Sequence, residues 1–423
     1  MQYDNNNTST YPLAKAVPLV VPLPCPVTPV TTNEKHFGNS TDKPHNSHNH
    51  AVATNGHDEG SRRTRRNPGG PSEEEADRIL TDQGFTKGLI RSIHRSAEVF
   101  PLRFWVIDNS GSMNTPDGHR IHSMSNKALR FLACSRWAEL QDTVAYHARM
   151  AAALEAPTSF RLLNPAAGGT EMFGVAERGP ENIPGDLETA LRTIGEVSPS
   201  GVTPLSDRVR EIGFTIESAR DELSASGHKA VIVLATDGLP SDRYGRSSQA
   251  ELREFTRALR SLEGLPVWVV IRLCTDDDEV VDFYNNIDND LELSIDVLDD
   301  FVAEAREVHE NNPWLNYALP LHRMREMGFY HKLFDLIDER ALTRDELREF
   351  FLLLYGPEIL DGLPDPQVDW DRFLDRIAAV TTTGTDADLQ WNPIRKRMTP
   401  WVDIRALDRR YGDHPFGCFP FFR

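Results

Sequence analysis

Polar and apolar positions in the middle of the chain alternate between two patterns. Short runs with the β-branched and aromatic composition of buried strands occur at residues 104–107, 158–163, 231–235, 267–273 and 293–298. Between most of them, apolar residues recur every three or four positions, which predicts amphipathic helices at 135–154, 205–223, 252–262 and 299–311. Strands that alternate with helices predict a doubly wound α/β fold, with a mainly parallel sheet flanked by helices.

The pattern changes on both sides of residues 100–311, which hold this alternation. Residues 1–75 are rich in Asn, Thr, Pro, Gly and His and lack amphipathic periodicity, so they predict a disordered tail. Residues 76–99 predict a short helical preface, and acids just after Ser72 favour a helix start there. Residues 313–423 predict a helical C-terminal region that ends in an aromatic-rich tail.

Two of the predicted strands end in an aspartate with polar neighbours. The run at 104–107 stops at Asp108, with Ser110 and Ser112 after it, and the run at 231–235 is followed by Thr-Asp-Gly, which contains Asp237. Thr203 lies in the Gly-Val-Thr-Pro-Leu segment that opens a predicted helix. Because ligands of open parallel sheets bind beyond the carboxyl ends of the strands, we expect all five residues to share one rim.

An alternative interpretation exists for each of these residues taken alone. Aspartates commonly form turns by bonding their own backbone, and serines and threonines commonly cap helices. The combination, in this order and after these strands, favours a divalent-metal site.

In this order the five residues resemble the metal-ion-dependent adhesion site of the von Willebrand factor type A (VWA) family, written D-x-S-x-S, a distant T, then D-G. The resemblance covers residues 100–311 and implies the VWA fold. It implies that Ser110, Ser112 and Thr203 bind the metal directly, while Asp108 and Asp237 act partly through water. An Asp or Glu from a protein partner would complete the shell. The rim residues that would contact this partner are not identified by the motif.

The donor set indicates which ion to expect. Oxygen ligands with few carboxylates suit a small hard cation, so we expect Mg²⁺, with Mn²⁺ as its competitor. Integrin β-type relatives carry further carboxylates after the second serine, whereas Met113, Asn114 and Thr115 stand here, so we expect a single metal.

Three functional classes follow from such a site. The leading one is a metal-dependent protein-binding module without enzyme activity. A metal-dependent hydrolase would need a general base, for which His119 and His122, expected on an exposed loop, are the local candidates. The third is a structural scaffold whose metal site is vestigial.

Composition limits the partners and the compartment. The net charge of −18 argues against nucleic-acid backbones and anionic membranes as partners. No segment offers the roughly 20 apolar residues of a membrane span, and the first residues lack the positive region of a signal peptide. Four cysteines without metal-type spacing predict free thiols. We expect a cytoplasmic protein, with the nucleus as an alternative. Arg62, Arg63, Arg65 and Arg66 form a short basic cluster that could be a nuclear address or a nucleic-acid contact, but an exposed charged linker is favoured.

Three further segments each allow two interpretations. The histidines between residues 36 and 57 could hold Zn²⁺ or Ni²⁺ weakly, but a solvated polar tract is favoured. Aromatic and basic residues interleave at 391–423, where packing on the body is favoured over base stacking. Residues 335–346 only partly fit a calcium loop, and a helix capped by Thr343 is favoured instead.

Overall fold

The computed structural model describes residues 72–124, 128–166, 168–287, 291–382 and 389–413, all within one compact unit, Thr64–Arg423. Most of the predicted disordered tail, residues 1–71, lies outside the described residues. The helix start predicted just after Ser72 is confirmed, because a helix begins at Glu73, three residues before the predicted start of the helical preface at residue 76. The side chain of Ser72 caps this helix by accepting a hydrogen bond from the backbone of Glu75.

The elements are numbered here in chain order. The strands are β1 Leu102–Ile107, β2 Gly118–Ser123, β3 Leu129–Cys134, β4 Thr158–Leu162, β5 Met172–Val175, β6 Ala230–Thr236, β7 Val267–Leu273, β8 Ile295–Leu298, β9 Gln390–Asn392 and β10 Arg397–Thr399. The α-helices are α1 Glu73–Asp82, α2 Lys87–Val99, α3 Arg136–Ala153, α4 Ile183–Glu196, α5 Leu205–Ser218, α6 Arg220–Ser226, α7 Gln249–Arg260, α8 Asp278–Asn285, α9 Phe301–Asn311, α10 Leu319–Glu326, α11 Lys332–Glu339, α12 Arg344–Tyr355, α13 Trp370–Thr382 and α14 Ile404–Tyr411.

Six strands form one sheet in the order β5, β4, β1, β6, β7, β8. All neighbours pair in parallel except β5, which runs antiparallel to β4. The chain runs outward from β1 through β4 to β5 and then returns to β6 on the other side of β1. This reversal makes the carboxyl ends of β1 and β6 the topological switch point, where open α/β sheets form their ligand crevice.

Helices cover both faces of the sheet, as the alternation of strand and helix predicted. Successive residues of β1 belong to different cores: Trp105 packs with the apolar face of α3, and Val106 packs with α5 and α7. The central strands are buried along their whole length, which explains their continuous apolar runs. The doubly wound α/β prediction is therefore confirmed.

The helices before and after the sheet share a third core. Apolar side chains from α1 and α2 pack in one cluster with those of α9 to α14, including Trp314, Phe351 and Trp401. The contact between α2 and α12 is close: a Cβ built on Gly88 would lie 2.4 Å from the carbonyl oxygen of Leu353.

Several elements differ from the predicted pattern. The β2–β3 hairpin, strand β5, the β9–β10 hairpin and helices α4 and α8 were not predicted. The helix predicted at 205–223 is two helices, which break at Ala219. The restart at Thr343 is confirmed, because Thr343 and Glu346 form a capping box.

Two other expectations concern the cysteines and the aromatic tail. Cys134 and Cys274 are free thiols, as predicted, and Cys25 and Cys418 lie outside the described residues. Trp401 is buried in the third core, as expected for packing on the body, while residues 414–423 lie outside the described part. None of the described helices is long and apolar enough to cross a membrane.

Candidate metal centre

Asp108 is held at the carboxyl end of β1 by hydrogen bonds to both of its oxygens. Its Oδ1 accepts from the backbone N–H of Ser110 at 2.9 Å, and its Oδ2 accepts from the Thr236 hydroxyl at 2.6 Å. The first bond is the local turn bond expected of an aspartate in this position. The second joins β1 to the end of β6, so the turn interpretation alone does not account for Asp108.

Ser112 connects the two strand ends. Its hydroxyl donates to Oδ1 of Asp237 at 2.8 Å and lies 3.0 Å from the hydroxyl of Ser110. Both serines belong to the turn that starts a short 3₁₀ helix, Gly111–Asn114, in which the Ser110 side chain makes no capping bond. The capping alternative is therefore wrong for Ser110.

Thr203 reaches the same edge through its backbone. Its N–H donates to the Ser241 hydroxyl at 2.9 Å, and the N–H of Ser241 donates to its carbonyl at 3.0 Å, which ties it to the loop after Asp237. Pro204, and not Thr203, holds the cap position of α5. The capping alternative is therefore wrong for Thr203 as well.

Gly201 and Asn164 set the path of the Thr203 loop. Gly201 has φ +91°, and a Cβ there would lie 2.3 Å from Oδ1 of Asn164. The Asn164 amide bonds both the N–H and the carbonyl of Val202, and the N–H of Gly111 donates to Gly201 at 3.3 Å. The structure thus brings together Asp108, Ser110, Ser112 and Asp237 through side chains, and it joins the loop of Thr203 to the serine loop through the backbone bond between Gly111 and Gly201.

Arg136, the first residue of α3, is a member of the site that sequence reasoning missed. Its Nη1 donates to Oδ2 of Asp237 at 3.1 Å. Its other two nitrogens, Nε and Nη2, donate to the two carboxylate oxygens of Asp117 at 2.8 and 2.6 Å. A cation in the first turn of a helix opposes the helix dipole, and this was the available signal in the sequence.

The two aspartates are buried close to one another. Burial, together with the charge of Asp237, raises the pKa of Asp108 to about 6. Burial also raises the pKa of Asp237, although Ser112 and Arg136 act in the opposite direction. Two carboxylates that are removed from water and repel each other favour the approach of a cation.

The donor set fits a small octahedral cation. Because the Ser112 hydroxyl gives its single hydrogen to Asp237, it accepts from Ser110, and one of its two lone pairs remains to face an ion. The two serine hydroxyls lie 3.0 Å apart, the distance of a hydrogen bond between them, and neutral hydroxyls with few carboxylates form the kind of oxygen donor set that suits a hard cation.

The two histidines considered as general bases lie on a strand and not on a loop. His119 and His122 belong to β2 and are exposed to solvent. The backbone N–H of His119 donates to Glu139 at 2.8 Å.

A cavity of about 920 Å³ opens beside the centre, under the β2–β3 hairpin, and Asp117 forms part of its wall. Its lining includes the buried side chains of Arg272, His322 and Glu326. Although burial alone would raise the pKa of Glu326, Arg323 and His322 hold it well below its usual range. Sequence reasoning missed this cluster because the ion pair between Arg272 of β7 and Glu326 of α10 joins two elements that are distant in the sequence.

A second acidic group lies on α9 and α11. Glu304, Glu307 and Asp338 have carboxylate oxygens within 4.8 Å of one another. Buried Arg325 contacts Glu304 and lies 2.8 Å from Asp338, so a guanidinium already supplies positive charge there.

Comparison with known proteins adds little to this geometry. No protein-family model matches the chain, and no curated protein matches it. A mutant of the PilB minor pilin from Streptococcus sanguinis matches with 15% identity and a TM-score of 0.32. The match covers 47% of this chain and 57% of the pilin, which is less than two thirds of the pilin's length. At this level of similarity it supports no conclusion about fold or function.

Proposed function

We propose that the chain is an intracellular member of the VWA family and binds a partner protein through a divalent cation. The observation that carries the proposal is the meeting of Asp108 and Asp237 at the switch point, with two serine hydroxyls 3.0 Å apart between them. Ser110, Ser112 and Thr203 would bind Mg²⁺, with Mn²⁺ as competitor, and the two aspartates would supply charge and orient the hydroxyls.

The partner would present an Asp or Glu to the remaining coordination position. Few direct carboxylates leave such an ion electrophilic, so an external carboxylate is attracted to it. Thiols that remain unpaired at Cys134 and Cys274 support an intracellular setting, because disulfides are rare there.

A scaffold with a vestigial metal site is the second candidate. The ion pair between Arg136 and Asp237 favours it, because the guanidinium already neutralises one of the two carboxylates. The two candidates differ in one measurable property, which is whether the natural chain binds a divalent cation at this site.

The test has two parts. Calorimetric titration with Mg²⁺ and Mn²⁺ compares the natural chain with Asp108→Asn and Asp237→Asn, and Asp207→Asn serves as a charge-matched control on the exposed surface of α5. Affinity capture from lysate is then repeated in Mg²⁺ and in chelator. We expect the two site variants to lose at least tenfold in metal affinity and to lose the partners that chelator removes.

The metal affinities of the four proteins decide between the two candidates. Metal binding that is absent from the natural chain, or equal in all four proteins, would leave the scaffold as the better account. Binding that persists in the control and fails in both site variants assigns the ion to these residues.

A further inference from the structure

Arg136 has a fixed position at the edge of the candidate metal centre. Its side chain is 13% exposed, and the Asp237 side chain that it contacts has no exposed surface. Its backbone N–H donates to the Thr115 carbonyl at 3.0 Å, and a Cβ on Gly118 would lie 2.9 Å from its backbone nitrogen. The start of α3 is therefore packed against the loop that follows the serine motif.

Asp117 determines how the guanidinium of Arg136 is shared. Nε and Nη2 both bond the Asp117 carboxylate, in the two-bond geometry that a planar guanidinium prefers. Only Nη1 remains for Asp237. Without Asp117, the same planar fork would be free to turn both of its ends toward Asp237.

A divalent cation and Arg136 would act on the same carboxylate from different sides. Asp237 accepts from Ser112 through one oxygen and from Arg136 through the other. The positive charge of the guanidinium lowers the negative potential that would attract a metal, and it repels a metal that has bound. Asp237 is buried, so water screens this repulsion only weakly.

We propose that Arg136 is a built-in counter-cation that weakens divalent-metal binding at this centre, and that Asp117 limits the effect by holding the guanidinium to a single bond with Asp237. The proposal rests on the metal site of the proposed function and describes its regulation. It predicts opposite signs for two neighbouring substitutions. Removing Arg136 strengthens metal binding, and removing the Asp117 carboxylate weakens it through Arg136.

A double-mutant cycle tests this mechanism. The metal-free full chain is titrated with Mn²⁺ and with Mg²⁺ by calorimetry as natural chain, Arg136→Met, Asp117→Asn and the double variant. Arg120→Met is the matched control, because Arg120 of β2 pairs with Asp142 of α3 rather than with Asp237. Thermal unfolding without metal verifies that each variant is folded.

We expect Arg136→Met to bind metal roughly tenfold to a hundredfold more tightly, the range over which groups next to a metal shell usually act. Asp117→Asn should bind several-fold more weakly, on the same basis. In the Arg136→Met background, Asp117→Asn should have no further effect. If Arg136→Met does not fold, Arg136→Gln takes its place in the cycle, because glutamine removes the positive charge and keeps an N–H donor for Asp237.

The metal affinities of the natural chain and of Arg136→Met test the role of Arg136 and the proposed function separately. A natural chain that binds metal, with Arg136→Met equal or weaker, overturns the role of Arg136 and leaves the metal site intact. Binding only after Arg136→Met supports the inference and refutes metal-dependent function in the natural chain. If neither protein binds metal, both proposals fail. An equal effect of Asp117→Asn in both backgrounds overturns the positioning role of Asp117.

Discussion

Two glycines lie in comparable positions of two helices, and replacing them with alanine should change the free energy of unfolding in opposite directions. Gly88 is the second residue of α2 and is buried, and Gly185 is the third residue of α4 and is exposed. An added Cβ at Gly88 would lie 2.4 Å from the carbonyl oxygen of Leu353 and 2.5 Å from the nitrogen of Gly356. At Gly185 it would meet no atom within 4 Å.

The magnitude follows from the type of atom that is met. The neighbours of Gly88 belong to the backbone of α12 and its end, which cannot turn aside as a flexible side chain can. Overpacking of this kind costs about 1–3 kcal/mol. Alanine gains about 0.5–1 kcal/mol over glycine inside a helix. Subtracting the helix gain from the overpacking cost, we expect Gly88→Ala to lower the free energy of unfolding by about 1–2 kcal/mol, and Gly185→Ala to raise it by about 0.5 kcal/mol.

Urea unfolding followed by far-ultraviolet circular dichroism measures both variants beside the natural chain at one pH and in chelator. Equal stabilities for Gly88→Ala and Gly185→Ala would refute the reasoning. That result would mean that α2 does not lie against α12, and that the helices before the sheet do not share a core with those after it.

Two further predictions concern pH and the Thr203 loop. Burial raises the pKa of Glu304 to about 8, so the stability present below the unfolded value near 4.5 should be lost as pH rises through 8. Glu304→Gln should flatten the fall in melting temperature between pH 5 and pH 8, and unchanged slopes would contradict this. Gly201→Ala should cost about 1–2 kcal/mol through backbone strain and should also weaken Mg²⁺ binding, because it displaces Asn164. Gly227→Ala, also at positive φ but with no atom within 4 Å of its Cβ, should leave Mg²⁺ affinity unchanged, and equal affinities in both variants would count against the role of Gly201.

The sheet could be predicted because a strand that is buried on both faces is apolar at nearly every position, and this pattern can be read from the strand's own residues. The runs that became β6 and β7 are apolar at almost every position, and both strands are fully buried. Asp108 and Asp237 could be placed at one edge of the sheet, because each directly follows a predicted strand and the carboxyl ends of parallel strands lie at the same edge.

The hairpin and strand β5 left weaker signals in the sequence. β2 includes His119, Arg120 and His122 among its six residues, so it lacks the apolar alternation of a half-buried strand. β5 has only four residues, one of them glycine, and it pairs with a single neighbour at the sheet edge.

The electrostatic part of the site could not be read from sequence spacing. Arg136 and Asp237 are 101 positions apart, and their contact depends on how α3 is seated. Local patterns report which residues share a strand or a helix face, whereas an ion pair between distant elements is decided by packing.

The shared core of the outer helices has a consequence for the order of folding during synthesis. Helix α2 emerges from the ribosome early, but its apolar face packs against α12, whose residues are translated after the six-stranded sheet. At about 5–20 residues per second, the intervening chain takes roughly 10 to 50 seconds to make. During that time α2 carries exposed apolar surface, which is a target for chaperones on the nascent chain.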